Sequence, residues 1–222
     1  WVASSDYNED IRISPEILSR LSEAYRKIRN TARFILSNLY DFNPNTDKVN
    51  YDNLRLIDKW ALCVMEGVLM DVKNAYESFE FYKAYKLIYD FCNEALSMNY
   101  LDMVKGRLYT YAKGGIERRS AQTVIHGVLN TLVRIIAPIL VFTAEETWQE
   151  MPKENKDSSI ASVHLLEWPR EKHDFYKHFP NQFHSVTQLI PDIAKLLEEK
   201  RSQGIIGSSF DAKINLLTNN EE

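Results

Sequence analysis

Leu18, Leu21, Tyr25, Ile28, Ala32, Ile35 and Leu39 recur in alternating steps of three and four, which on a helix makes one continuous apolar stripe. The stripe predicts a bundle helix that starts at Ser14-Pro15-Glu16, read as N-cap, first-turn proline and first-turn acid. Glu16 and Arg20, like Glu23 and Lys27, stand in the favourable acid-before-base order one helical turn apart. The turn-rich stretch Asp41 to Asp47 then leads to an antiparallel neighbour.

A second helix is expected from about Asp52 to Tyr76, with Leu54, Ile57, Ala61, Val64, Val68 and Val72 on one face. A third, from about Phe79 to Val104, carries Phe81, Tyr85, Ile88, Cys92, Ala95 and Tyr100. The glycine-containing stretch Lys105 to Gly115, in which Tyr109 and Tyr111 alternate with polar residues, reads as an exposed connection. A fourth helix starts near Glu117 and turns Ala121, Val124, Val128, Leu132 and Ile135 inward until Pro138 interrupts it. Thr143-Ala-Glu-Glu146 has capping-box spacing and predicts a short helix through Trp148.

Beyond Met151 the pattern changes. Lys153 to Ser159 is a polar linker, Ser162 to Trp168 reads as a short strand closed by Pro169, Phe183 to Lys200 is again helical, and Ile205 to Leu217 is a glycine-interrupted strand pattern. The expected class is mainly α: an antiparallel helical bundle followed by the start of a small α+β junction domain. Residues 1–13 form a connection, 14–152 the bundle, and 153–222 a linker with a partial α+β unit.

Composition narrows the chemistry. The chain has 27 Lys and Arg against 31 Asp and Glu, a formal charge of -4, so contact with nucleic acid has to come from a local patch. Cys63 and Cys92 lack CxxC spacing, which argues against a zinc site and a disulfide framework and fits a reducing cytoplasm. No apolar run approaches the ~18 residues of a membrane span. The chain opens on Trp1 without an initiator methionine, which fits a piece of a longer protein.

Arg26, Arg29 and Arg33 repeat at helical spacing with Asn30 beside them, a basic ridge with an amide along the flank of the first helix. Guanidinium groups grip phosphates and an amide can read a base edge, while a solvated basic face accounts for the same letters. Arg29 lies at the edge of the apolar stripe, where its stem can pack and its head can meet a carboxylate of the bundle. Tyr100 stands near Lys105 and Arg107 and is the aromatic placed by positive charge. The series Tyr76, Phe79, Phe81, Tyr82, Tyr85, Tyr89 and Phe91 reads chiefly as core. Arg118-Arg119 opens the fourth helix, where cations oppose the helix dipole; a phosphate or an internal carboxylate would relieve that mismatch.

Catalytic constellations are absent from the pattern. Glu145-Glu146 read as first-turn acids, the five histidines have no HExxH spacing, and neither glycine-containing stretch has the GxxxxGK[ST] spacing of a phosphate loop.

Five phrases together resemble the bacterial-type isoleucyl-tRNA synthetases of class I: Trp1 to Tyr7, Tyr25 to Phe34, Tyr100 to Thr110, Arg118 to Val124, and Ala137 to Trp148. The last is shared with valyl and leucyl relatives, and the first four in combination are specific to the isoleucine enzymes. The resemblance implies the helical-bundle anticodon-binding domain followed by part of the C-terminal junction domain, with residues 1–7 leading out of the catalytic domain. It implies tRNA(Ile) and the other synthetase domains in cis as partners and a cytoplasmic monomer, and together with the charge and spacing read above it gives the expected tRNA contacts as Arg26, Arg29, Asn30, Arg33, Tyr100, Lys105, Arg107, Arg118 and Arg119. Related class I enzymes place an Arg-Asn pair on the first bundle helix near the anticodon loop, and Arg29-Asn30 match it. The HIGH and KMSKS signatures that serve ATP chemistry occur nowhere here, so the resemblance assigns ATP and Mg2+ to the parent's catalytic domain and zinc to a cysteine-rich C-terminus, neither in this segment. A helical protein-interaction module, or a structural spacer with a basic docking ridge, is the rival reading.

Overall fold

In a computed structural model, residues 1–170, 189–208 and 211–215 are described, and they divide between two compact units, Trp1–His178 and Phe179–Glu222. In the first, α1 (Pro15–Ser37) begins at the expected cap: the Ile17 amide donates to the Ser14 hydroxyl at 3.3 Å, and Pro15 opens the helix. Ala24, Ile28, Thr31, Ala32 and Ile35 are buried along the predicted stripe, while Leu18 and Tyr25 at its near end stay exposed.

Helix α2 (Leu56–Glu77) follows a short 3-10 turn at Tyr51–Asn53. Its buried line is Asp58, Ala61, Met65, Glu66, Leu69, Val72 and Ala75, so the inward face is rotated from the expected one and carries two carboxylates. The turn to α3 (Phe81–Asp90) is tight, because the Glu80 amide donates to the Ala75 carbonyl at 2.8 Å. That closure puts Phe79 at φ 59, in the left-handed region that favours glycine.

The expected third helix is one rod with an insertion: α3, then ten residues of wide π turns (Phe91–Tyr100), then α4 (Leu101–Thr110). The Ser97 hydroxyl and the Asn99 amide donate to the Cys92 and Glu94 carbonyls, each five residues back, at 2.7 and 2.9 Å. The rod runs past Val104, so the first part of the expected connection is helical. Val104 and Leu108 are buried and Arg107 is anchored inward, which carries the packed face through Gly106.

Helix α5 (Ile116–Ile136) is buried along most of its length and is the central element. The Tyr76 hydroxyl donates to the Ile135 carbonyl near the C-terminal ends of α2 and α5, while Arg55 pairs with Glu117 near their starts, so these two helices are parallel. Contacts of Lys27 with Tyr89 and of Phe34 with Tyr109 set α1 parallel to the α3–α4 rod. The Gln122 amide donates to the Asn38 carbonyl at 2.9 Å, bringing the end of α1 to the start of α5. The direction therefore alternates along the chain, as in an up-down-up-down bundle. Its closed end gathers the C-termini of α1 and α4 and the N-termini of α2 and α5.

Two local expectations are overturned. Thr143 does not cap a helix: α6 (Val141–Glu150) starts two residues earlier, and the Thr143 and Tyr25 hydroxyls are hydrogen-bonded at 3.0 Å. Glu146, the acid of the expected box, lies 3.8 Å from Arg29, and the neighbouring Glu145 accepts from the Ser162 hydroxyl and the Val163 amide at 2.8 and 2.9 Å. The stretch expected as a strand, Ser162 to Trp168, holds a 3-10 turn at Val163–Leu165, with Val163 buried and Leu166 and Trp168 packed on the core.

In the second unit α7 (Ile190–Ser202) closes at Gly204, whose φ of 71 suits glycine. The first residues of the helix expected from Phe183 lie outside the described residues. Over the described part of Ile205 to Leu217 there is no strand; Asp211 accepts from the Gly207 and Ser208 amides at 3.1 and 2.8 Å and closes a turn instead. The described residues contain no strand and do not show the expected α+β start.

Candidate nucleic-acid interface

The inward face of α1 is fixed by Ile28, Ala32 and Ile35, and a helix so anchored must turn the opposite face to solvent. Arg26, Asn30 and Arg33 stand on that outward face, exposed, with no side-chain hydrogen bond or ion pair to another described residue. Arg29 is on the flank toward α6, its Nη2 3.8 Å from Glu146 Oε1, with both side chains largely exposed. Such a surface pair is worth little. On the other flank the Lys27 ammonium donates to the Tyr89 hydroxyl at 3.2 Å.

The remaining candidates turn mostly inward. Tyr100 is 0% exposed, and its hydroxyl donates to Asp58 Oδ1 at 2.7 Å. Arg107 grips the same carboxylate with both terminal nitrogens at 2.8 and 2.6 Å, and the Ser120 hydroxyl adds a bond of 2.6 Å. Burial first, and then the Asp58 charge, hold the Tyr100 hydroxyl well above its ordinary pKa. Tyr100 and Arg107 are therefore corrected from surface groups to members of a buried knot that ties α2, α4 and α5 together.

Arg118 is corrected in the same way. It is 3% exposed and meets Asp41 in a two-bond fork at 2.7 and 3.0 Å. Arg119 donates to the Asp41 carbonyl and to Gln122 at 2.8 and 2.7 Å, and lies 3.3 Å from Asp47. Asp41 is thus the internal carboxylate that offsets the cations at the start of α5. Burial pushes its carboxyl pKa up, but hydrogen bonds from Gln122 and Arg118 and the charges of Arg118 and Arg119 outweigh that and hold it below the usual value. Lys105 stays exposed on α4, paired with Asp102 one turn away at 2.8 Å.

At the closed end the structure exposes three aromatic rings, two of them in the stretch read as a connection. Tyr40 is 69% exposed, Tyr109 62% and Tyr111 49%. Tyr109 meets Phe34 edge-on at 6.4 Å between centroids, and the Lys113 ammonium lies 5.4 Å from the Tyr40 ring centre. The readable signal was the alternation of Tyr109 and Tyr111 with Thr110 and Ala112 in a stretch without helical apolar periodicity, which gives neither ring an expected core position.

A concavity of about 850 Å³ lies between α2, α5 and the segment after Met151 and is lined by His126, Asn130, Arg134 and Trp168 among others. Its charges pair internally, Lys48 with Glu154 and Arg134 with Asp157. Among the described residues no three His, Cys, Asp or Glu side chains are grouped to hold a metal ion, and no helix is long and apolar enough to cross a membrane.

Residues 58–216 match the family described as the anticodon-binding domain of tRNA ligase. The isoleucine–tRNA ligase of Caldanaerobacter subterraneus subsp. tengcongensis is 41% identical over all of this chain, which covers 24% of that protein. That of Thermotoga neapolitana is 44% identical over all 222 residues, again 24% of its length, and that of Caldicellulosiruptor saccharolyticus is 44% identical over 97% of the chain. The chain spans about a quarter of the length of these relatives. The family match begins at Asp58, so α1 and its basic face are covered by the full-length alignments to these relatives.

Proposed function

Because the chain belongs to the family of anticodon-binding domains of tRNA ligases, we propose that it grips the anticodon stem-loop of an isoleucine-accepting tRNA through the outward face of α1. The observation that carries this reading is the set Arg26, Asn30 and Arg33, exposed on one face and given no partner by the bundle. Two guanidinium groups about 10 Å apart along the helix can each reach a phosphate of the same strand, and the amide between them can meet a base edge. Arg29, whose single pair is loose, adds a third cation to the track.

In the parent enzyme this segment would hold tRNA without carrying out chemistry. Activation of isoleucine with ATP and Mg2+, and its transfer to the tRNA, would fall to domains joined to it in cis, in a cytoplasmic monomer. The similarity to isoleucine–tRNA ligases supports this assignment.

Binding of the chain to the isoleucine anticodon stem-loop, and to a stem-loop of altered anticodon, at two salt concentrations tests the reading. Three phosphate contacts predict a slope of log affinity against log salt near -2 to -3. Binding that ignores salt, or equal affinity for the altered anticodon, would count against it. An acidic helical protein that binds the ridge and is not displaced by the RNA would favour the docking-module reading instead.

A further inference from the structure

We propose that the concavity between α2, α5 and the segment after Met151 is a second binding site, one that takes a small organic monoanion, a carboxylate on an apolar body, with Arg134 holding the charge. This site is independent of the RNA reading. Arg134 lies in the last turn of α5 and lines the cavity, with its side chain only 16% exposed. A guanidinium so far removed from water is ordinarily hydrogen-bonded throughout. This one is not: among the described residues its Nε has no partner, its Nη1 is 3.4 Å from the Glu167 carbonyl, and its Nη2 is 3.7 Å from Asp157. Burial outweighs the nearby carboxylates and pushes its pKa below the ordinary value, so the protein itself supplies too little negative charge here. Trp168, on the same wall, also leaves its indole N–H buried without a partner among the described residues.

The pairing around the rim leaves the same deficit. Lys48 and Lys156 share the single carboxylate of Glu154, and Arg170 has Glu167. With Asp157 assigned to Arg134, and burial lowering the pKa of His126 toward the neutral form, the lining holds one more cation than carboxylates. A single negative charge balances it, whereas a dianionic phosphate would bring a second one against Glu154 and Asp157.

The rest of the cavity suits an apolar body. Leu54, Leu62, Ile160 and Leu166 supply walls, and a volume of about 850 Å³ lies in the range of small-molecule sites. Gly127 of α5 also lines it. A Cβ there would meet only Leu62 Cδ2, at 3.9 Å, so no close contact demands glycine at a mid-helix position that disfavours it, and the missing side chain keeps the cavity open.

Benzoate, benzyl alcohol and inorganic phosphate, titrated against the chain, test the site through the indole N–H resonance of Trp168, assigned as the one lost in Trp168→Phe. Benzoate should shift it saturably and bind at least about tenfold more tightly than benzyl alcohol, the worth of a charge-assisted hydrogen bond, with phosphate weaker than benzoate. Arg134→Met should bring benzoate down to the level of benzyl alcohol; if that variant does not fold, the discrimination among the three probes in the unaltered chain decides alone. Equal affinity for benzoate and benzyl alcohol would overturn the anion site, and phosphate as tight as benzoate would overturn the apolar body. No saturable shift with any probe would overturn the site outright and leave the cavity to water.

Discussion

On α1, Arg26 and Arg33 extend to positions where no other described residue offers them a carboxylate; at the closed end, Arg107 and Arg118 each meet one, Asp58 and Asp41, supplied by a different element. The side chains are the same and their fates are opposite. What separates them is whether another segment delivers an acid to the spot. Asp58 reaches Arg107 across 49 positions of sequence and Asp41 reaches Arg118 across 77, so helical spacing alone could not show either pairing. The contrast also divides the labour: inward arginines hold helices together, and outward ones remain available to a ligand.

The severest break of that contrast is Asp58→Ala. It leaves Arg107, Tyr100 and Ser120 without their shared acceptor in the interior, and breaking a buried pair in this way costs about 3–5 kcal/mol. For a chain of this size the melting temperature should fall by roughly 6–20 °C. Below the new melt, affinity for the anticodon stem-loop should be unchanged. A variant that melts normally but binds RNA weakly would instead place Arg107 among the contacts.

Asp41 offers a milder break with a pH signature. Its folded-state pKa is lowered, so its contribution to stability is complete above the unfolded value near 4 and disappears as pH falls through the folded value. Asp41→Asn should therefore destabilise the chain at neutral pH, by about 2 kcal/mol because Asp41 keeps some contact with water, and the deficit should close under acid. Melting curves of both proteins across acid pH test this. A constant gap would mean that the Arg118 fork is not what lowers the carboxyl pKa.

These inward pairs also show where the sequence was legible and where it was not. The Ser14-Pro15 cap, the stripe through Ile35 and the succession of long helices follow from local periodicity, and they appear in the fold because propensity and burial agree there. The cap expected at Thr143 and the strand at Val163 failed because distant partners, Tyr25 and Glu145, took the groups on which those readings relied. In the candidate site, Arg26, Asn30 and Arg33 were legible because an outward face is simply the complement of an apolar stripe. Tyr109 was missed because α4 continues through Gly106 past the point where the pattern ended it, and that continuation depends on tertiary anchoring of Arg107.

On the outward side, Arg33→Ala should do the reverse of Asp58→Ala. It removes no partner among the described residues, so stability should shift by no more than about 0.5 kcal/mol. The slope of log affinity for the stem-loop against log salt should flatten by about 0.7–0.9, the share of one phosphate. Titrations at several salt concentrations would show it, and an unchanged slope would remove Arg33 from the track.

Arg29 stands between the two classes and gives the finest test of the comparison. Its 3.8 Å approach to Glu146 is long for a hydrogen bond, and both side chains are largely open to water, so the pair should contribute under about 0.5 kcal/mol. A double-mutant cycle of Arg29→Ala and Glu146→Ala on melting stability should return a coupling near zero. RNA binding should separate the two residues. Arg29→Ala removes a cation and weakens binding, whereas Glu146→Ala removes a negative charge beside the track and should strengthen binding about twofold at low salt, with the gain fading as added salt shortens the screening length. If Glu146→Ala weakened binding instead, the acid would be holding Arg29 in place for the RNA, and Arg29 would belong with Arg107 and Arg118 as a cation that needs an internal partner.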